Sequence, residues 1–146
     1  MAAKSDYLEN KIIDWLLRGQ AFTPPATLHF GLLTANANDA GTLTEVSGGS
    51  YARVAVTASL GNFAGTQGAG TTVASSGSSG TTSNNNAITF PGPTANWGTI
   101  TGMGVWDAPT GGNLLLYTAL TTSKTVNNGD AAPSFAAGQW TYQEDN

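Results

Sequence analysis

Residues 97–117 read WGTITGMGVWDAPTGGNLLLY. The first run, Trp97 to Trp106, alternates with a period of two. That places Ile100 and Trp106 on one face together with Gly102 and Gly104. Two glycines on one strand face leave flat space for a neighbouring ring or backbone. Asp107 to Gly112 follows, with Pro109 and the pair Gly111-Gly112, which is the signature of a hairpin turn. Asp107 sits where a carboxylate bonds turn amides. A second apolar run then begins at Asn113 and continues Leu114, Leu115, Leu116, Tyr117. Strand, tight turn and strand predict an antiparallel pair.

The same pattern extends in both directions. Upstream, Leu28, Phe30 and Leu32 alternate with His29, Gly31 and Leu33 after the break at Pro24-Pro25. Tyr51 to Thr57 forms another run, with Tyr51, Arg53 and Ala55 on one face and the turn Ser47-Gly48-Gly49-Ser50 before it. Ala87 to Phe90 is a short strand closed by Pro91-Gly92-Pro93. Downstream come Ser123 to Val126, the turn Asn127-Asn128-Gly129-Asp130, and a last strand from Phe135 to Tyr142. Residues 61–83 are rich in Gly, Ser and Thr and read as an excursion that is functional or mobile, with Val73 as its one apolar anchor.

Helical periodicity occurs once. Leu8, Ile12, Trp15 and Leu16 share a face over residues 6–18, widened by Ile13 and Leu17. Asp6 and Glu9 have capping-box spacing, and Gly19 marks the stop. A helix this short needs its apolar face packed, and the sheet of its own chain is the expected partner. The fold class is therefore mainly β: an antiparallel β-sandwich or jelly-roll-like domain with one short N-terminal α-helix. The 146 residues suit a single domain, 1–146, with the helix at about 6–18 and the sandwich at about 26–143.

Composition excludes several chemistries. Charged residues are 10% of the chain, net charge is -4, and only Arg53 and Lys124 follow Arg18 among the cations. A basic nucleic-acid footprint is thus excluded. With no Cys and one His there is no thiolate site, disulfide framework or multi-histidine metal centre, and neither a metal nor a cofactor is expected. No apolar run approaches membrane-span or signal-peptide form, so neither a membrane nor secretion is expected, and synthesis in a cytoplasm is. His29 lies near no nucleophile motif, the carboxylates are scattered, and no phosphate-loop spacing occurs. An enzyme is not expected.

The charge deficit has a location. Val54 to Trp106 contains no Asp, Glu, Lys or Arg. An uncharged surface of hydroxyls and amides suits packing against other subunits, and equally an ordinary Ser/Thr-rich loop. Arg53, at the edge of this gap, is the only cation between residues 19 and 123. Its fork suits a bidentate bond to Glu45, to a carboxylate of a neighbouring chain, or to water alone. Tyr51 shares its strand face. Trp97, Trp106 and Trp140 alternate with polar residues and read as core or subunit contacts, or, if exposed, as platforms for sugar rings.

Several segments resemble small structural proteins of tailed bacteriophages. They are Tyr7 to Lys11, Pro25 to Leu28, Glu45 to Arg53, Ile88 to Pro91, Trp97 to Ile100, Trp106 to Ala108, Gly111 to Leu115, Leu120 to Val126 and Phe135 to Gly138. They cover most of the chain in order, and residues 61–83 depart from the pattern. Members of that family are described as capsid-decorating, tail-fibre-like or simply virion proteins. The resemblance implies a virion component assembled in the host cytoplasm, with the major capsid protein or tail proteins as partners. It favours a homo-oligomer, with a trimer suited to local three-fold positions. Capsid decoration or cement is the first reading. A tail-fibre or adaptor subunit, or a glycan-binding module, is the alternative. No catalytic residue comes with it. Glu45, Tyr51, Arg53, Trp97, Trp106 and Trp140 are the candidate interaction residues.

Overall fold

The hairpin at 97–117 lies at the centre of the sheet. A computed structural model describes residues 2–144; Met1, Asp145 and Asn146, the ends of the expected 1–146 domain, lie outside the described residues. In chain order the elements are β1 (Ala3–Lys4), α1 (Asp6–Leu17), β2 (Thr27–Ala35), β3 (Thr44–Glu45), β4 (Val54–Thr57), β5 (Thr81–Ser83), β6 (Ile88–Thr89), β7 (Gly98–Trp106), β8 (Leu114–Val126), β9 (Ser134–Phe135) and β10 (Thr141–Gln143). The main sheet has six strands in the order β1-β8-β7-β2-β3, and β4 shares the outer edge of β2 with β3. Two ribbons, β5–β10 and β6–β9, form the second layer. All the strand ladders are antiparallel. The architecture is mainly antiparallel β with one short helix.

The principal core fills the space between the sheet and the ribbons. Phe30, Leu32, Met103 and Val105 from the sheet meet Ile88, Phe90, Trp97 and Trp140. On the opposite face Leu33, Trp106 and Leu114 form a smaller cluster, covered by Ala37, Leu43 and Tyr117. The alternation along β2 sends Phe30 and Leu32 one way and Leu33 the other, as a period of two requires.

Strict alternation fails in β7. Ile100 and Trp106, expected on one face, belong to opposite clusters. The cause is a ladder irregularity. Ile100 pairs with Lys124 and Gly102 with Ala119, so the single residue Thr101 faces the whole segment 120–123 of β8. A bulge of this kind shifts the phase of the pleat. It also joins two expected strands, at 114–117 and 123–126, into one long β8. The expected last strand, Phe135 to Tyr142, is instead divided. The turn at Gly138 (φ 78°) separates β9 from β10, and they pair with different partners.

Helix α1 starts one residue earlier than its acidic pattern indicates. Ser5, not Asp6, is the N-cap, with φ -83° and ψ 159°. Its backbone N–H donates to the Leu115 carbonyl and its hydroxyl to the Leu114 carbonyl, 2.5 Å away. Those bonds hold Ser5 extended against β8, which leaves Asp6 as the first helical residue. The apolar stripe does not pack on its own sheet. No residue of α1 is buried, and only Tyr7 and Leu8 touch the core. Ile13, Trp15, Leu16 and Leu17 are 48, 56, 66 and 76% exposed. The tether is the first turn, and from there the helix leaves the sheet at its edge.

Residues 61–83 are held together by their own polar groups. The Thr66 hydroxyl donates to the Gly77 carbonyl and accepts from the Gly77 N–H. The Gln67 amide bridges the Ala74 carbonyl and the Ser76 N–H. Val73 does not anchor the segment, being 59% exposed. Buried Ala64 and the Phe63–Asn84 bridge do so at its base.

Candidate functional site

Five of the six candidate residues converge on one network. The turn before Tyr51 has positive φ at three consecutive positions, Gly48 (77°), Gly49 (55°) and Ser50 (61°). Two glycines make this backbone accessible. Ser50, the one non-glycine of the three, is tied by its hydroxyl to the Gly92 carbonyl at 2.5 Å. Trp97 fixes the same turn, its indole N–H donating to the Gly49 carbonyl at 2.9 Å. The turn aims Tyr51 inward, edge-on to Trp97 at 5.4 Å. The Tyr51 hydroxyl donates to Glu45 Oε1 and accepts from the Leu32 N–H, both at 2.8 Å.

Arg53 closes the network. Its Nε and Nη2 reach Glu45 Oε1 and Oε2 at 2.8 and 2.7 Å, a bidentate pair. Its Nη1 donates to the carbonyls of Ala108 and Gly111, both at 2.8 Å. The guanidinium lies 3.8 Å from the centre of the Trp106 ring. The Arg53 side chain is 6% exposed and that of Glu45 22%. Burial, then the Glu45 charge and hydrogen bond, push the Tyr51 hydroxyl far above its ordinary value, so it remains a donor.

Glycine makes room for this assembly. A Cβ on Gly31 would stand 2.7 Å from Glu45 Oε1, 2.7 Å from Trp106 and 2.8 Å from the Tyr51 oxygen. The Trp106 ring likewise covers Gly104. The flat space on β7 is thus filled by an indole from the same strand. At the turn itself, Asp107 accepts from the backbone N–H and the side-chain amide of Asn113, both at 2.7 Å.

The network is a lock between segments distant in sequence. Arg53 joins β3, the approach to β4 and the β7–β8 turn, and its bonds are internal to the chain. His29, on β2 opposite Ala55 and Trp106, is 9% exposed, and its Nδ1 is buried without a partner. Burial, reinforced by the Arg53 charge and opposed by Asp107, lowers its pKa. No group of three or more metal-ligating side chains occurs among the described residues.

Trp140 stands apart from this network, in the principal core. It is packed edge-on to Phe30 at 5.2 Å and against Phe63 at 6.0 Å. Trp97, Trp106 and Trp140 are 5, 4 and 5% exposed, so none is an open stacking platform. Trp15 is the exposed indole. Sequence reasoning missed Asn84, which is buried and bonds the carbonyls of Asn86 and Ala136 and the Trp140 N–H. Its signal was only the run Asn84-Asn85-Asn86 at the end of a polar segment.

A family model described as podophage GP4 fiber I protein gp80 matches residues 3–143. The chain belongs to this family. The match runs from the first residue of β1 to the last of β10, so it covers every strand of this chain and the residues of the Arg53 lock. No curated protein matches the chain. A phage fibre family is a family of virion components, which agrees with the resemblance carried by Glu45 to Arg53. No helix among the described residues is long and apolar enough to cross a membrane.

Proposed function

We propose that the chain is a non-enzymatic structural subunit of a phage fibre, joined to neighbouring virion proteins through the outer face of α1. The observation that carries this reading is the stripe Ile13, Trp15, Leu16 and Leu17 standing in water at the end of a tethered helix. Contiguous apolar surface of this kind marks a protein contact. The charge-free stretch from Val54 to Trp106 adds surface suited to close packing. The family description favours the fibre over the capsid-decoration reading. A homo-oligomer, with a trimer as its simplest closed form, is the assembly that suits it.

Quantitative gel densitometry of purified particles tests the assignment. A fibre subunit gives on the order of tens of copies per particle, whereas a shell decoration occupying repeated symmetry positions gives on the order of hundreds. Antibody labelling that marks the head and not the tail would overturn the fibre reading.

A further inference from the structure

Two surfaces of this chain are left without cover. One is the far half of α1. Residues 12–17 read Ile-Ile-Asp-Trp-Leu-Leu, five of six apolar, and Ile13, Trp15, Leu16 and Leu17 are all exposed. At about 100° per residue these four side chains spread over more than half the circumference of the helix. A stripe that wide calls for enclosure, not for one flat neighbour. The other surface is a cavity of about 360 Å³ between the β8 bulge at 120–123 and the segment from Pro133 to Thr141. Leu120, Pro133 and Phe135 are half-buried at its mouth, and the buried Met103 lies behind them. Protein interiors rarely keep voids much larger than a water molecule. An opening of this size between two walls admits a large apolar side chain from outside.

Charge points the same way. Lys124 lines the cavity and makes no ion pair or ring contact among the described residues. Glu9 likewise makes no ion pair among the described residues. On the helix it falls between Leu16 and Ile13, inside the exposed stripe. Helix α1 carries Asp6, Glu9 and Asp14 against the single Lys11, so it suits a basic rim and not an anionic membrane surface. Within one molecule the two surfaces do not meet. Ser5 ties the helix to the Leu114 and Leu115 carbonyls, and the stripe beyond stays exposed. Each chain thus offers one protruding apolar end and one apolar recess.

We propose that the far half of α1 from one copy of this chain inserts into the bulge cavity of the next. Trp15 and Leu16 lie against Leu120, Pro133 and Phe135, and Glu9 pairs with Lys124. This insertion rests on the joining role of α1 and makes a second copy its partner. Two unlike patches form a heterologous contact, which closes into a ring or continues head to tail.

The chain has no cysteine, so introduced thiols report contacts without background. Full-length Gln20→Cys and Thr122→Cys chains, mixed and treated with a short bismaleimide, are expected to give a 20–122 crosslinked pair. A 20–20 pair alone, the mark of helix against helix, would overturn the proposal, as would no pair at all. In sedimentation of the purified chain, Trp15→Ser should weaken self-association about thirty-fold, as loss of a central aromatic anchor does. Lys124→Glu should weaken it about three- to five-fold, and adding Glu9→Lys should restore it. Both charges are exposed, so the fold tolerates the swap. Failure of the double variant to recover would sink the proposed pairing. If chains carrying Trp15→Ser and Leu16→Ser join particles normally, the joining role of α1 itself fails. If they are excluded while the unmodified chain stays monomeric in solution, only the second-copy partner fails.

Discussion

Trp106 and Trp15 occupy similar places in their local patterns and opposite places in the molecule. Each stands on a periodic apolar face, one on a strand and one on a helix. Trp106 is 4% exposed, laid over Gly31 and Gly104 and capped by the Arg53 guanidinium. Trp15 is 56% exposed on a helix tied down only at its first turn. A period shows which residues share a face. It does not show whether anything covers that face. Cover for Trp106 comes largely from residues distant in sequence, whereas none of the described residues covers Trp15.

If that contrast is right, substitutions at the two tryptophans should separate stability from association. Trp106→Ala should cost about 3–5 kcal/mol in urea unfolding, the range for large buried aromatics. Trp15→Ala should change stability by no more than about 0.5 kcal/mol. Equal losses would mean that α1 is packed in solution and that the contrast is mistaken.

The cap over Trp106 comes next in size. Arg53→Met should destabilise by about 3 kcal/mol, because it leaves Glu45 without its buried partner and frees two turn carbonyls. Adding Glu45→Gln should restore part of that loss, with a coupling of about 0.5–3 kcal/mol in a double-mutant cycle. Strict additivity would show that the pair is not coupled in solution. Gly31→Ala should cost about 1–3 kcal/mol by overpacking against Glu45, Tyr51 and Trp106. A neutral result would mean that the lock has slack.

A smaller effect comes from pH. His29 is held below its ordinary value of 6.5, first by burial and then by Arg53. The folded state therefore resists protonation that the unfolded chain accepts. The resulting stability is fully present above about 6.5 and declines as the pH falls through the window below it. His29→Gln should flatten the stability profile on the acid side of its ordinary value of 6.5. Glu144 works in a lower window. Burial tends to raise its pKa, but bonds from Lys4 and Tyr142 outweigh that and lower it from 4.5, so its contribution is lost as the pH falls below that value. An unchanged slope in the variant would remove His29 from the account.

The smallest effect on stability should bring the largest effect on assembly. Trp15→Ser combined with Leu16→Ser should leave the unfolding midpoint within about 0.5 kcal/mol. It should also reduce incorporation of the chain into particles, measured on virions assembled with the variant. Normal incorporation would show that α1 is not the joining surface.

Much of the fold was legible because its signals are local. The Pro109 and Gly111-Gly112 turn lies between two periodic runs, and the chain folds there as a hairpin. The Ser47 to Ser50 turn was visible for the same reason. Harder to read were features that depend on register. The bulge at 120–123 has no signature in Leu120-Thr121-Thr122-Ser123, yet it lies in the ladder between Ile100 and Trp106, which end in opposite clusters. In the site, Glu45 and Arg53 were legible as a pair because opposite charges are scarce in this chain. The carbonyls of Ala108 and Gly111 were not, since a backbone acceptor carries no residue identity.

By itself the sequence determined the class of the fold and the position of its turns, and it offered Glu45 as one of the possible partners of Arg53. Tertiary structure decided which apolar faces were covered. It buried Trp106 through the glycines of two neighbouring strands, and it stapled residues 61–83 with their own hydroxyls. It left Ile13, Trp15, Leu16 and Leu17 outside. The physical reason is range. Turn chemistry and periodicity act within a few residues, whereas burial is settled by segments brought together from across the chain.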